Sequence, residues 1–315
     1  MNVYAREDRM TALVDRLDGL LFFPVTPCDD RERLNLDAFR AHVRSGVAAG
    51  CGAVFACCGT GEFPSLDLDD YAACVAVAVE EAAGRVPVVA GTGYGLAMAT
   101  RFARAAEAAG ADGLLALPPY LLQPDQDGLR RHYEAVADAS RLPIILYQRD
   151  NAIFEPDTVA ALAAHPRIVG FKDGYGDLDL LQRTISAVRA ASREILYFNG
   201  LPTAEMSALA YRGLGITRYS SAVFCFLPAV ALAFHRALVG GDDATVNRLI
   251  DGFYRPLVEL RRQGAGYAVS LVKAGVRLRG LDAGPARAPL GEPAPEHVKR
   301  LSELIEHGRH LVEDF

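Results

Sequence analysis

The chain has 315 residues, 51% of them hydrophobic, with a formal net charge of −6. This is enough apolar material for a large core, and without a basic run nucleic acid is not an expected partner. No apolar run reaches the length needed to span a bilayer and the first twenty residues lack an apolar signal core, so no membrane partner is expected either. The six cysteines, at 28, 51, 57, 58, 74 and 225, show no metal-ligand spacing and several lie in apolar runs. They read as reduced, packed thiols of a cytoplasmic protein.

In chain order, short β-prone runs alternate with helical patterns. Leu20–Val25 (LLFFPV) is followed by the helix Leu36–Ala49, Ala53–Cys57 (AVFAC) by Asp69–Ala83, and Pro87–Gly91 (PVVAG) by Ala97–Ala109. Gly113–Leu117 (GLLAL) precedes Gln126–Ser140, Pro143–Tyr147 (PIILY) precedes Asp157–Ala164, and Ile168–Lys172 (IVGFK) precedes Leu178–Ala191. The last two units are Ile195–Asn199 (ILYFN) with Thr203–Tyr211, and Gly215–Ser220 (GITRYS) with Phe224–Leu238. Runs that are continuously apolar rather than alternating indicate strands buried on both faces, as in a parallel sheet.

Eight such units in succession predict an α/β fold, a (β/α)8 TIM barrel over residues 1–239. A doubly wound sheet is the alternative, but the first strand ends in PVTPCDD instead of a GxGxxG loop. From residue 240 onward only helices are predicted, Asp243–Gln263, Tyr267–Arg279 and His297–Phe315, so residues 240–315 form a C-terminal helical extension.

Active sites of barrels form at the C-terminal ends of the strands. Those ends present Gly59, Thr60, Gly61 and Glu62, then Pro119 and Tyr120, Tyr147, Lys172, Asn199 with Gly200, and Ser220 with Ser221. The set holds one amine, phenols, hydroxyls and glycine loops, with no histidine pair or carboxylate cluster suited to a metal. An amine sheltered from water loses preference for its charged form and becomes a nucleophile toward ketones, giving a Schiff base. Lys172 would be that amine and Tyr147 its proton shuttle. Equally, Lys172 could end a strand with its head in water and Tyr147 could be a core ring, while Thr60 and Ser221 could simply be turn hydroxyls.

At these residues the chain resembles the dihydrodipicolinate synthase/N-acetylneuraminate lyase superfamily of Schiff-base aldolases and dehydratases. GTGEF is similar to its substrate-carboxylate loop, IILY to its tyrosine strand and IVGFKD to its lysine strand, in the family's order. The resemblance covers nearly the whole chain. It implies Lys172 and Tyr147 as catalytic residues, no cofactor or metal, and a homo-oligomer, a homotetramer built as a pair of dimers.

Three departures speak against dihydrodipicolinate synthesis. The first of the synthase's two adjacent threonines is Gly59 here, its second tyrosine after the fourth strand is Leu121, and its arginine five residues past the catalytic tyrosine is Ala152. YQRDNAIF, GFKDGYGDL, FNGLPTAE and YSSAVF instead resemble the 5-dehydro-4-deoxyglucarate dehydratase branch, apart from Cys225 where asparagine is expected. That branch implies a keto-sugar diacid as the small-molecule partner, losing water and CO2 to give 2,5-dioxopentanoate. One carboxylate would lie on Gly59, Thr60 and Gly61, at the N-terminus of a following helix, and the distal end near Asn199, Gly200, Ser220 and Ser221. Glu62 would cap that helix, and Arg149 and Asp150 would be rim residues. A pyruvate-forming aldolase of a 2-keto-3-deoxy sugar acid, or a keto-acid sensor without turnover, are the competing readings.

Overall fold

A computed structural model of the chain describes residues 13–313. Eight parallel strands, β1 Leu21–Phe22, β2 Ala53–Ala56, β3 Val88–Thr92, β4 Gly113–Ala116, β5 Ile144–Gln148, β6 Ile168–Asp173, β7 Leu196–Asn199 and β8 Ser220–Ser221, run in one sheet. The sheet order is β7-β6-β5-β4-β3-β2-β1-β8, and a parallel bridge between Asn199 and Tyr219 brings the two edges together into a barrel. Helices α1 Leu36–Ala48, α2 Leu68–Ala82, α3 Leu96–Ala108, α4 Gln126–Asp138, α5 Pro156–Ala163, α6 Leu178–Ala190, α7 Ala208–Gly213 and α8 Pro228–Gly240 connect and follow the strands. Each strand-to-helix pair is thus the right-handed unit of a (β/α)8 barrel.

Side-chain parity explains why the strands read as unbroken apolar runs. Along β2, Ala53 and Phe55 belong to a cluster with Leu21, Phe23, Val89, Leu115, Ile145 and Phe198 that fills the barrel. Val54 and Ala56 point the other way and join the layer between strands and helices, with Phe22, Leu114, Leu146 and Phe171. Alternate residues therefore face two different apolar layers.

Four local differences from the sequence reading have identifiable causes. The eighth strand, predicted from Gly215, is only Ser220–Ser221, because Gly215 takes a positive φ of 81° and its N–H turns back to the Arg212 carbonyl. The helix predicted from Thr203 begins as a 3-10 turn, Ala204–Ser207, because Thr203 itself is left-handed at φ 53°. The helix predicted from Phe224 is a 3-10 turn, Val223–Cys225, followed by α8, which starts at Pro228. Finally, Asp243–Gln263 divides into α9 Asp243–Leu249, a π turn Ile250–Tyr254 and α10 Arg255–Arg261. Pro256 has no N–H to continue the α-helical ladder, and the preceding turn widens.

Helices α11 Tyr267–Leu278 and α12 Pro295–Leu311 complete the chain. Tyr254, Leu257, Leu271, Leu301 and Ile305 lie in the same buried apolar layer as the barrel helices, so the extension is packed onto the barrel. All six cysteines are free thiols, five of them buried. Cys225 donates its S–H to the Phe23 carbonyl at 3.1 Å, and burial pushes its thiol up to about 12. Among the described residues no helix is long and apolar enough to cross a membrane.

Candidate active site

Lys172 owes its direction to a slip in strand register. Ile144 pairs with Ile168 but Ile145 pairs with Gly170, so Val169 is an extra residue on β6. From there Leu146 faces Phe171, Tyr147 faces Lys172 and Gln148 faces Asp173. Without the extra residue, Lys172 would pair with Gln148 and follow its outward parity. An inserted residue of this kind bends a strand and re-aims the side chains beyond it. Here it points Lys172 into the barrel beside Tyr147.

The lysine is 3% exposed, yet it borders a cavity of about 820 Å3 at the C-terminal ends of the strands. This is within the range of small-molecule sites. Its Nζ has aromatic neighbours, 3.8 Å from the Tyr147 ring centroid and 5.3 Å from that of Phe23. Two glycines keep the pair free of obstruction. A Cβ on Gly200 would stand 2.8 Å from Lys172 Cγ and 2.9 Å from its Nζ, and one on Gly174 would stand 2.7 Å from Tyr147 Cε2.

Tyr147 Oη donates to the Gly200 carbonyl at 2.9 Å and accepts from Arg149 Nη1 at 3.4 Å. Burial pushes the phenol up, but the charges of Lys172 and Arg149 outweigh it and hold the group below the ordinary phenol value. A phenol so placed gives up its proton more readily and can take it back, as a shuttle requires. Arg149 pairs across a tight turn with Ala152, the position where the synthase pattern carries its arginine, so a guanidinium reaches the phenol from a different place in the sequence.

Asp173 points to the opposite face from Lys172 and is fully buried. It accepts from Gln148 Nε2 at 3.1 Å, Tyr175 N–H at 2.9 Å and Tyr211 Oη at 2.5 Å. These bonds tie the ends of β5 and β6 to α7, which fixes the lysine's backbone. The aspartate follows the lysine directly in the sequence, and the alternation of a buried strand is the signal that could have given it this role.

The loop after β2 brings Gly59 and Thr60 to the cavity wall. Gly61 lies behind them, its carbonyl held by Thr26 Oγ1 at 2.7 Å. The bonds that shape the loop run from Glu62 N–H to Gly59 O and from Phe63 N–H to Cys58 O. The N–H groups of residues 59–61 are outside that set and can serve an anion. The helix expected behind the loop is instead a three-residue 3-10 turn, Phe63–Ser65, with α2 starting at Leu68.

Glu62 does not cap that turn. It takes left-handed backbone at φ 55° and turns its carboxylate into the protein, where Oε1 lies 2.8 Å from Lys273 Nζ and Oε2 accepts from Arg287 N–H at 2.7 Å. Lys273 is fully buried and also donates to the carbonyls of Thr26 and Pro285 at 3.0 and 2.6 Å. This ion pair joins the loop to the extension. Sequence reasoning missed it because the partners are 211 residues apart.

Gly200 and Ser220 border the cavity. Asn199 and Ser221 make internal bonds in its wall. Asn199 Nδ2 donates to Ala204 O and Ser207 Oγ, its Oδ1 accepts from Leu201 N–H, and the side chain thereby shapes the loop after β7. Ser221 Oγ donates to Glu205 Oε1 at 2.6 Å. Glu205 borders the cavity but is itself fully buried; among the described residues its Oε2 makes no hydrogen bond of good geometry, and the Tyr254 hydroxyl is the polar group beside it. Burial pushes its carboxyl up to about 7, against the opposing pull of the Ser221 bond and the Arg261 charge. Among the described residues no cluster of three His, Cys, Asp or Glu side chains is placed to hold a metal ion.

A sequence profile of the dihydrodipicolinate synthetase family matches residues 16–308. The chain is 64% identical over 298 residues to the probable 5-dehydro-4-deoxyglucarate dehydratase 1 of Streptomyces coelicolor, covering 94% of each chain. It is 46% identical over 288 residues to the probable 5-dehydro-4-deoxyglucarate dehydratase of Bradyrhizobium diazoefficiens, covering 91% of each. Among solved structures, dihydrodipicolinate synthase from Bacillus clausii superposes with a TM-score of 0.85 at 25% identity, over 94% of this chain and 99% of that one. The synthase from Oceanobacillus iheyensis gives 0.87 at 23% identity, over 96% and 99%, and bears on the fold alone.

Proposed function

The chain belongs to the dihydrodipicolinate synthetase family, and from that premise we propose that it converts 5-dehydro-4-deoxyglucarate to 2,5-dioxopentanoate, water and CO2. The observation that carries this reading is Lys172 Nζ 3.8 Å from the Tyr147 ring, sheltered at the base of the cavity. The names of the relatives and the absence of the synthase's three residues at Gly59, Leu121 and Ala152 support the choice of substrate.

In the proposed reaction the Lys172 amine adds to the C5 ketone and loses water to give an iminium. The iminium acidifies C4, and Tyr147 as phenolate takes the proton, its charge favoured by Lys172 and Arg149. The enamine then expels the C3 hydroxyl, which leaves as water with a proton returned to it. In the resulting conjugated iminium, the electrons of the C1–C2 bond flow through C2 and C3 to the nitrogen as CO2 departs. The product is a dienamine with a hydroxyl on C2. Protonation, tautomerisation of the C2 enol to the aldehyde and hydrolysis of the imine release 2,5-dioxopentanoate and regenerate Lys172. A single amine thereby serves as electron sink for both bond cleavages.

The carboxylate beside the ketone rests against Gly59, Thr60 and Gly61, with Gly200 keeping the lysine unobstructed and Ser220 also on the cavity wall. Asn199 and Ser221 act through the loops they hold. Of the described residues, those up to 239 make the barrel that carries this chemistry and those from 240 make the extension that braces it; the first twelve and last two residues of these two units lie outside the described residues.

The protein works in the cytoplasm as a homo-oligomer, by family analogy a tetramer. Tyr120, Leu121 and Leu122 support association, because these consecutive apolar residues are 65, 80 and 56% exposed.

Incubation of the diacid with the protein should yield 2,5-dioxopentanoate and one equivalent of CO2, measured by product chromatography and gas release. Pyruvate among the products would assign the chain to the aldolases, and saturable binding with no product would make it a keto-acid sensor.

A further inference from the structure

We propose that Arg261, at the end of α10 in the C-terminal extension, binds the distal carboxylate of the substrate and is what selects a diacid over a monoacid. The inference deepens the diacid reading above and rests on it. Among the described residues three cations border the cavity: Lys172, Arg149 and Arg261. Lys172 is the nucleophile. Arg149 is engaged twice, with Asp150 Oδ2 at 3.2 Å and with the Tyr147 hydroxyl. Arg261 is half-buried, and its Nη1 donates to the Thr203 hydroxyl. Among the described residues no carboxylate oxygen lies within 4 Å of it.

A half-buried guanidinium without an anion carries a desolvation cost that an incoming carboxylate would offset. Glu205 is the acidic group whose charge reaches Arg261, but it makes no ion pair with it and its Oε1 is taken by Ser221.

The loop geometry places this cation at a suitable end of the site. The chain leaves Lys172's neighbour Gly200 and reaches Thr203 three residues later, a span of at most about 10 Å. Thr203 is a β-branched residue held in left-handed backbone at φ 53°, an uncommon and costly conformation. Its hydroxyl is bound by Arg261 at the cavity edge. The distal carboxylate lies four carbon–carbon bonds from the imine carbon, whereas the proximal one is attached to it and is served by the Gly59–Gly61 loop. A planar fork on an otherwise unpaired arginine suits bidentate contact with that distal group.

This contact selects and orients; it does not break the C1–C2 bond. Pairing with arginine favours the carboxylate over departing CO2, so its effect belongs in binding. The test compares capture of the diacid and of pyruvate by borohydride at Lys172, together with steady-state turnover of the diacid. Pyruvate carries only the proximal carboxylate.

Replacing Arg261 by Met, which keeps an apolar stem of similar reach, should raise KM for the diacid about 10- to 100-fold, the effect of losing a charge-assisted contact, with kcat held within a few-fold. Arg261→Lys should recover part of the loss and serves as the second variant if the methionine protein does not fold. Pyruvate capture should be unchanged in both. An unchanged KM for the diacid, or a parallel loss of pyruvate capture, would overturn the assignment. A wild-type protein that neither captures nor turns over the diacid would instead overturn the substrate reading, which keeps the two failures apart.

Discussion

Glu205→Gln isolates the cost of burying a single carboxyl. The carboxyl moves from an ordinary value of 4.5 in the unfolded chain to about 7 in the fold, chiefly because it is fully buried. Below pH 4.5 it is neutral in both states and costs nothing extra. Between there and about pH 7 the folded protein keeps a proton that the unfolded chain has released, so this group's contribution to stability falls as the pH rises. Above about pH 7 the folded state holds an ionised carboxylate that is fully buried. The full effect is about 3 kcal/mol, from about 1.4 kcal/mol for each tenfold change in proton affinity.

Glutamine has the same shape and still accepts from Ser221, but it does not titrate. Urea unfolding of both proteins at about pH 5 and about pH 8 gives the comparison, since every other group titrates alike in the two chains. The variant should gain on the wild type by about 3 kcal/mol at the higher pH, a midpoint shift on the order of 1 M urea for a chain of this size, and by little at the lower. A difference that does not change with pH would refute the argument that burial dominates this carboxyl.

Other changes reach different parts of the site. Lys273→Met strands Glu62 as an unpaired buried charge and should cost about 3–5 kcal/mol in urea unfolding; a loss below about 1 kcal/mol would mean that water reaches the carboxylate. Gly200→Ala puts a methyl group 2.8 Å from Lys172 Cγ, so circular dichroism should be unchanged while the rate of pyruvate capture falls at least tenfold. Tyr147→Phe keeps the ring beside the amine and removes the proton carrier. Its kcat should fall about 100-fold or more, and a near-normal rate would leave the ring with packing alone.

The barrel was legible because each strand faces two apolar layers, so runs such as PIILY and AVFAC stand out against the helices. The eighth strand was not, because GITRYS has the composition of a strand but Gly215 closes a turn first. Lys172 could be placed at a strand end, but not aimed. Its direction depends on the extra residue at Val169, a feature of pairing between strands that one strand's sequence does not contain. Glu62 was expected at a helix cap because its partner, Lys273, is visible only once the extension folds back on the barrel. Asn199 and Ser221 were read at strand ends facing substrate, and the fold turns both toward neighbouring loops. Glu205 and Arg261 reach the cavity by tertiary packing, from a 3-10 turn and from the extension.

The most direct measurement is borohydride capture followed by peptide mapping, and the composition of the chain makes it unusually clean. Lys172, Lys273 and Lys299 are its only lysines. Lys273 is sealed in its ion pair, and the side chain of Lys299 is 80% exposed on α12. With 5-dehydro-4-deoxyglucarate and borohydride, a Schiff-base enzyme should gain the mass of one reduced adduct on the Lys172 peptide, and Lys172→Ala should gain none while keeping its fold. A protein that turns over the diacid without any adduct at Lys172, or a Lys172→Ala variant that retains turnover, would contradict the assignment of this lysine as the nucleophile.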